Sequence, residues 1–445
     1  MKKYVDAIEK NKQLILDALD YIWHNPETGY REVKTSEYLE DAFEKLGYEI
    51  TRADGITGFY TVVDTGREGP EVLVLGELDS VICREHPDSD PVTGAVHSCG
   101  HCAQTAALLG IAAALREPGV LDGMSGRIRL CAVPAEELVE IEFRKNLIKE
   151  GKIHIMGGKP EFLYRGYFDG VDMALMIHTT SADHCIVDRG SYVGCMPKKI
   201  TYKGVAAHAG TSPQNGINAL YAATLGLQAI NSLRETFIER DHIRVHPIIT
   251  SGGDIVNTIP DKAVIESYIR GASFDAIKAA NERVNRALIG AAISLGANVD
   301  IDDTPGYAPS IYSEKFADVA VDALKRIMPD LPYTSPKLVS TGSSDIGDLS
   351  MIMPVAQPSM MGAVGTGHGA DYYISNPELA CLGAAKWQLA ILDLLLSNGG
   401  ELAKNIKNSY TPTFPSREKY FEYLEAFFAS GDRIEYTDGK IIARI

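Results

Sequence analysis

Residues Val72-Leu73-Val74-Leu75, running directly into Gly76-Glu77-Leu78-Asp79, decide the fold class. Four consecutive apolar residues read as a strand buried on both faces, the pattern of an inner strand of an open α/β sheet. Such sheets carry their sites at the carboxyl ends of their strands. Glu77 and Asp79 stand at that end, and Asp79 is a candidate carboxylate for orienting another site residue. Outward in both directions the same reading recurs. Gly126 to Val133 forms a strand that ends in Pro134-Ala135-Glu136-Glu137, and the buried run Met173 to Ile177 presents His178. Two adjacent carboxylates with no basic neighbour in sequence are a costly like-charge pair unless a cation or a shared proton relieves them; the alternative is a solvated turn. Three strands thus deliver polar or metal-binding groups to the same kind of position, which argues for one site.

Between the first two strands lies His97-Ser98-Cys99-Gly100-His101-Cys102-Ala103-Gln104, ahead of a small apolar run that reads as a helix over about 103–116. Cys99 and His101 are one glycine apart, so in an irregular loop both can turn toward one ion. Thiolate and neutral imidazole suit zinc or a similar divalent metal. A helix N-terminus directed at the loop favours a thiolate. Two alternatives stay open here: a buried structural cysteine beside a hydrogen-bonded histidine, and a C-x-x-C redox pair of Cys99 and Cys102.

Elsewhere the chain alternates helices and strands. Apolar spacing predicts helices over 5–22 and 35–46, and a strand over 59–63. Residues 138–170 are a charged and aromatic excursion, helical in part. Near Gly194 the character changes: an alternating strand over 198–203, a loop through His208, a helix over 217–233, strands near 243–250 and 263–270 and a helix near 274–295 read as an inserted α+β domain. A helix over 316–327, a glycine-rich loop ending at His368 and a long apolar helix over 377–396 return to the first domain, while the tail from about 400 packs on either.

At 445 residues the chain exceeds the size of one core, so two domains are expected. The net charge of −16 argues against nucleic acid or an anionic membrane as partner. The first residues lack an apolar signal region, no run reaches the roughly 18 uninterrupted apolar residues of a membrane span, and seven cysteines fit a reducing compartment, so a cytoplasmic protein is expected.

The ordered set His24-x-Pro26-Glu27-x-Gly29, Glu77-x-Asp79, Cys99-Gly100-His101, Pro134-Ala135-Glu136-Glu137, His178, Gly204-x-x-Ala207-His208, Asn257-x-x-Pro260 and His368 resembles the aminoacylase/carboxypeptidase-G family of cocatalytic metallopeptidases. Gly342 to Ser350 looks most like the branch with p-aminobenzoyl-glutamate hydrolases and β-alanyl-dipeptide hydrolases. The resemblance implies a zinc-exopeptidase-like α/β catalytic domain, a mixed, mostly parallel sheet flanked by helices, over 1–193 and 304–445. It also implies an inserted α+β lid and dimerisation domain over 194–303, and hence a homodimer. By the same resemblance Cys99, His101, Glu137, His178 and His368 would bind one or two zinc or manganese ions, Glu136 would be the general base and Asp79 would orient a ligand histidine. His208 would bond the oxyanion, in its own or the partner's site, and Asn257 and Arg270 would bind substrate, Arg270 at the substrate's carboxylate. The implied activity is hydrolysis of the amide bond of a small N-acyl amino acid, an aromatic-acyl glutamate or a dipeptide. A non-catalytic binding protein of the same fold and a Cys99/Cys102 redox protein are the alternatives. Cys102 stands where the branch usually has Asp or Asn, and Glu77 where the family has Asp.

Overall fold

In a computed structural model describing residues 1–445, the chain forms two units. The first comprises Met1–Ser191, Ser310–Leu338 and Ser344–Arg417, the second Tyr192–Pro309, Val339–Ser343 and Glu418–Ile445.

The first unit is built on strands β1 (Thr51–Arg52), β2 (Phe59–Asp64), β3 (Glu71–Glu77), β4 (Arg127–Val133) and β5 (Met173–Leu175), in the order β1-β2-β4-β3-β5, with Val355–Ala356 at the far edge. From β4 across β3 and β5 to Val355–Ala356 every pairing is parallel; β1 and β2 add antiparallel pairings at the other edge. All seven residues of β3 are buried, as its central place and apolar run require. Glu77 lies opposite Val133, so the polar residues beyond both strands emerge side by side. Here the sequence reading needs a correction: β5 stops at Leu175, and His178 opens a separate short strand, His178–Thr180, paired in parallel with Ser359–Met361.

Helices flank this sheet. The single helix expected over 5–22 is two, α1 (Lys2–Lys10) and α2 (Lys12–Trp23), broken at Asn11, whose amide donates back to the Ala7 carbonyl (2.9 Å). At α3 (Val33–Lys45) the Glu27 carboxylate accepts from the backbone N–H groups of Lys34 and Thr35, both at 3.1 Å, satisfying orphan donors of the first turn. Helix α4 (His101–Leu115) has every residue buried. Within 138–170 lie α5 (Ile141–Lys149) and α6 (Gly158–Tyr164). The apolar stretch Glu378–Leu396 has the length and composition to cross a membrane, but 78% of it is buried, and Trp387 Nε1 donates to the Ala320 carbonyl (2.8 Å) inside the core.

In the second unit β6 (Gly194–Lys203) runs between β8 (Lys262–Gly271) and β9 (Asn298–Asp303), antiparallel to both, and β7 (Ile248–Ser251) pairs with β8. Helices α7 (Ala219–Leu233) and α8 (Phe274–Ser294), opened by the side-chain caps Asn218 and Ser273, share a core with the sheet through Tyr202, Ala223, Ile265, Val284 and Leu288. The boundaries differ from the sequence reading, which kept 304–445 whole. Residues 418–445 belong to this unit because Ala429 and Asp432 bridge to Asp303 and Asp300, and Ile434 enters the core.

A buried ion pair also crosses this unit: Lys198 Nζ donates to Asp303 Oδ1 and, at 2.6 Å, to Asn285 Oδ1. Replacing Lys198 by Met leaves the buried Asp303 carboxylate without its cation, held only by the amides of Asn281 (2.8 Å) and Asn285 (3.4 Å), and is expected to cost about 3–5 kcal/mol in denaturant unfolding of the second unit. A loss below about 1 kcal/mol would show that these amides suffice.

Candidate metal centre

The site forms where β3, β4 and the N-terminus of α4 end together. Beyond β3, Leu78 N donates to the Val133 carbonyl (3.0 Å), continuing the ladder, and Asp79 follows, fully buried. Gly100 has φ 93°, and a Cβ there would lie 2.4 Å from the Tyr372 hydroxyl, so only glycine allows the sharp entry into α4. That turn places Cys99 outside the helix and His101 in its first turn, two residues earlier than the sequence reading began it. His368 joins from another loop: its N–H donates to the Ser98 carbonyl (2.7 Å).

Around this turn the donor atoms converge. Cys99 Sγ lies 3.5 Å from His178 Nε2. His101 Nε2 lies 3.1 Å from Glu77 Oε2 and 3.9 Å from Glu136 Oε2, and His368 Nε2 lies 3.1 Å from Glu137 Oε1. Three groups have donor atoms within 4.8 Å of one another: Cys99, His101 and His178; Cys99, Glu137 and His368; Glu77, His101 and Glu136. His101 Nε2 and Glu137 Oε1 are close to possible partners yet lack hydrogen-bond geometry to any of them. Buried donors aimed at shared space without bonding each other fit a cation, and thiolate, imidazole and carboxylate together suit a divalent transition metal.

Asp79 holds this arrangement. Its Oδ2 accepts from Glu137 N (2.8 Å), its backbone carbonyl lies 3.0 Å from His101 Nδ1, and its Oδ1 is 3.3 Å from the same nitrogen. This directs Nε2 of His101 toward the donor cluster. Beneath it lies a network that the sequence reading missed. The Lys159 ammonium, fully buried, donates to Glu77 Oε1 and to Asp345 Oδ1, while Gln104 exchanges hydrogen bonds of 2.9 Å with Glu77 through its side-chain amide. Glu77 was placed at this strand end by the sequence, though without a role. Lys159 and Asp345 had no local signal, since their partners are far away in sequence.

The electrostatics follow from this crowding. Burial, then the charges of Glu77 and Glu137, push the Glu136 carboxyl well above its usual range. Burial would raise Glu137 as well, but His368 and His101 outweigh it and hold the carboxyl at about 2. Burial and Glu137 push the Cys99 thiol up, and the imidazoles of His101 and His178 bring it down to about 6. Burial pushes the Cys102 thiol up to about 12; it points into the core from α4, apart from these donors.

The structure therefore brings Cys99, His101, Glu137, His178, His368, Glu136 and Asp79 together. The remaining sequence candidates lie in the second unit. His208 is exposed on a short strand that pairs with Thr258–Ile259, and its Nδ1 accepts from the N–H groups of Gly210 and Thr211, both at 3.1 Å, which leaves the ring proton on Nε2. Asn257 adjoins it, its carbonyl accepting from Ala209 N (2.9 Å). Arg270, near the end of β8, donates to Ser343 Oγ (2.8 Å) and to His246 Nε2 (3.2 Å).

A family model described as peptidase family M20/M25/M40 matches residues 73–393. A p-aminobenzoyl-glutamate hydrolase component from Escherichia coli is 30% identical over 303 residues, 66% of this chain and 58% of that protein. The N-acetyl-L-cysteine deacetylase of Bacillus subtilis is 28% identical over 62% of this chain and 64% of its own length. The match thus spans less than two thirds of either relative. Among solved structures, a dinuclear metal-binding peptidase of the M20 family from Bacillus subtilis superposes with a TM-score of 0.64 at 20% identity, over 87% of this chain and 99% of that one, a likeness of fold.

Cys99 belongs to two of the three donor groups, whereas Cys102 belongs to none. Cys99→Ser is expected to weaken zinc binding at least tenfold and Cys102→Ser to leave it unchanged, read by competition with a chromophoric chelator. Equal loss in both variants would place Cys102 among the ligands.

Proposed function

The chain belongs to peptidase family M20/M25/M40, and from that premise we propose that it is a metal-dependent amidohydrolase cleaving the amide bond of a small N-acyl amino acid, an aromatic-acyl glutamate or a dipeptide. The observation that carries this reading is geometric: Cys99, His101, Glu137, His178 and His368 bring thiol, imidazole and carboxylate donor atoms together, with Glu136 Oε2 beside them at 3.9 Å from His101 Nε2. Cys99, His101, Glu137, His178 and His368 would hold the metal, and Cys99 would favour zinc over manganese because a thiolate is a soft ligand. Two donor groups sharing Cys99 support two ions. When bound, the metal supplies Lewis-acid polarisation of the scissile carbonyl and a water of pKa lowered toward ~7. Glu136 accepts the proton of the attacking water at its carboxylate and delivers it to the leaving nitrogen, a transfer its position at the rim of the donor set allows. Asp79 keeps the ring of His101 in one orientation throughout.

The second unit supplies recognition in this reading. His208, with its proton on Nε2, donates to the oxyanion, which is worth about 3 kcal/mol in a transition state. Arg270 presents a guanidinium for a substrate carboxylate, matched in geometry as Lys would not be, and Asn257 adds a hydrogen bond. The same unit supports a homodimer: β7 pairs with β8 alone, all four of its residues are exposed, and Tyr221, Ile248, Ile255 and Val256 form an apolar surface around it. Seven free cysteines support a reducing, cytoplasmic location, and the net charge of −16 argues against nucleic acid or an anionic membrane as partner.

N-acetyl amino acids, p-aminobenzoyl-glutamate and β-alanyl dipeptides form the test panel, assayed with chelator-stripped protein before and after zinc or manganese. Metal-restored cleavage of at least one is expected, and none in any condition would sink the reading. Glu136→Gln should keep its metal and lose at least ~10³-fold in kcat, since the proton acceptor is gone; turnover within tenfold of wild type would remove Glu136 as base. Light scattering should give twice the chain mass, and Ile248→Asp with Val256→Asp should shift it toward the monomer. A monomeric wild type would exclude the interface.

A further inference from the structure

The motif His24-x-Pro26-Glu27-x-Gly29 and the excursion 138–170 meet at the loop that carries the two adjacent glutamates. Arg144 of α5 is fully buried there. Its Nη1 donates to the carbonyls of Ala135 (3.2 Å) and Met156 (2.8 Å), and its Nη2 donates to the carbonyl of Glu137. Gly29 makes the space: a Cβ on it would lie 2.3 Å from Arg144 Nη2 and 2.8 Å from Ala135 Cα. Tyr30, next in the motif, sets its ring 5.6 Å from the guanidinium and donates from its hydroxyl to the Ile155 (3.3 Å) and Gly157 (3.2 Å) carbonyls.

The clamped loop has reason to need holding. Ala135 has φ 58° and Glu140 φ 54°, a left-handed backbone that residues with a Cβ keep only where the surroundings over-determine it. At Ala135 both backbone groups are taken: its N–H by Glu32 Oε1 (2.8 Å), its carbonyl by Arg144 and by Gly158 N (3.2 Å). Glu32 is itself fixed by Thr57, whose hydroxyl donates to Oε2 (2.6 Å). Only a planar, forked donor can serve carbonyls on either side of Glu136 at once, and a lysine ammonium lacks that fixed geometry.

We propose that Arg144 is a positioning residue, seated in the gap left by Gly29, which sets the backbone of residues 135–137 and so the aim of the Glu136 and Glu137 carboxylates. The proposal rests on the reading of these two as base and metal ligand.

Arg144→Met, Arg144→Lys and Gly29→Ala in the full chain test it. Each is measured for unfolding midpoint, for zinc affinity of the stripped protein by chelator competition, and for kcat and KM on a panel substrate. Trp387→Phe, a core change remote from the loop, is the stability control. The expected result is a fall of about 100-fold in kcat with KM within about threefold, and zinc affinity weaker by about tenfold, for Arg144→Met and Gly29→Ala. Arg144→Lys should regain stability but not kcat. Should Gly29→Ala fail to fold, because its Cβ also meets Ala135 Cα at 2.8 Å, the two Arg144 variants decide the proposal by kcat and zinc affinity. Wild-type kcat and zinc affinity in the Arg144 variants would overturn the proposal, as would an equal kcat loss in Trp387→Phe. If the wild type cleaves nothing on the panel, the functional reading falls, and zinc affinity alone still decides the clamp by whether it weakens or stays equal.

Discussion

Glu32, Glu77, Asp79, Glu136, Glu137 and Asp345 are all buried around the ends of β3 and β4. Two like charges 4 Å apart repel by about 4 kcal/mol at an effective dielectric of 20, so a group of this kind survives only if each member has a cation or keeps its proton. The structure answers each case differently. Lys159 serves Glu77 and Asp345 together, and imidazoles face Asp79 and Glu137. Burial, followed by Asp79, pushes Glu32 up to about 8, so at neutral pH it carries its proton. The parallel sheet creates the problem by aiming several strand ends at one place, and the same geometry gathers the cations that solve it.

Much of this could be read from the sequence, because local pattern carries it. The apolar run of β3 shows in four residues, and the polar residues that follow are fixed in place by the strand's direction. Long-range pairing is where local pattern ends. Lys159 finds Glu77 and Asp345, 82 and 186 residues away, and no spacing rule links them. Arg144 looked like one charge among many in a charged excursion until its burial and its carbonyl partners were seen. The break at Asn11 and the start of α4 at His101 depend on backbone turns whose cues, an asparagine and a glycine, are common elsewhere in the chain. His178 kept its expected neighbourhood although its strand proved to be a separate one, since Met176, whose N–H still donates to the Ala356 carbonyl (3.1 Å), and Ile177 carry the chain on to it. The tail went to the second unit through backbone bridges to β9, an association that composition does not encode.

Burial separates the alternatives that the sequence left open. A redox pair needs two thiols able to meet, and Cys102 turns into the core of α4 with its thiol held up near 12, while Cys99 faces imidazoles. In the second unit, two backbone N–H groups select the tautomer of His208.

Helix α4 has no face toward solvent, and its interior is filled largely by alanine: Ala103, Ala106, Ala107, Ala112, Ala113 and Ala114. Overpacking such a position costs about 1–3 kcal/mol, so exchanges toward larger residues along the helix are expected to destabilise the first unit. The helix that opens with His101 is thereby among the parts of the chain least tolerant of added volume.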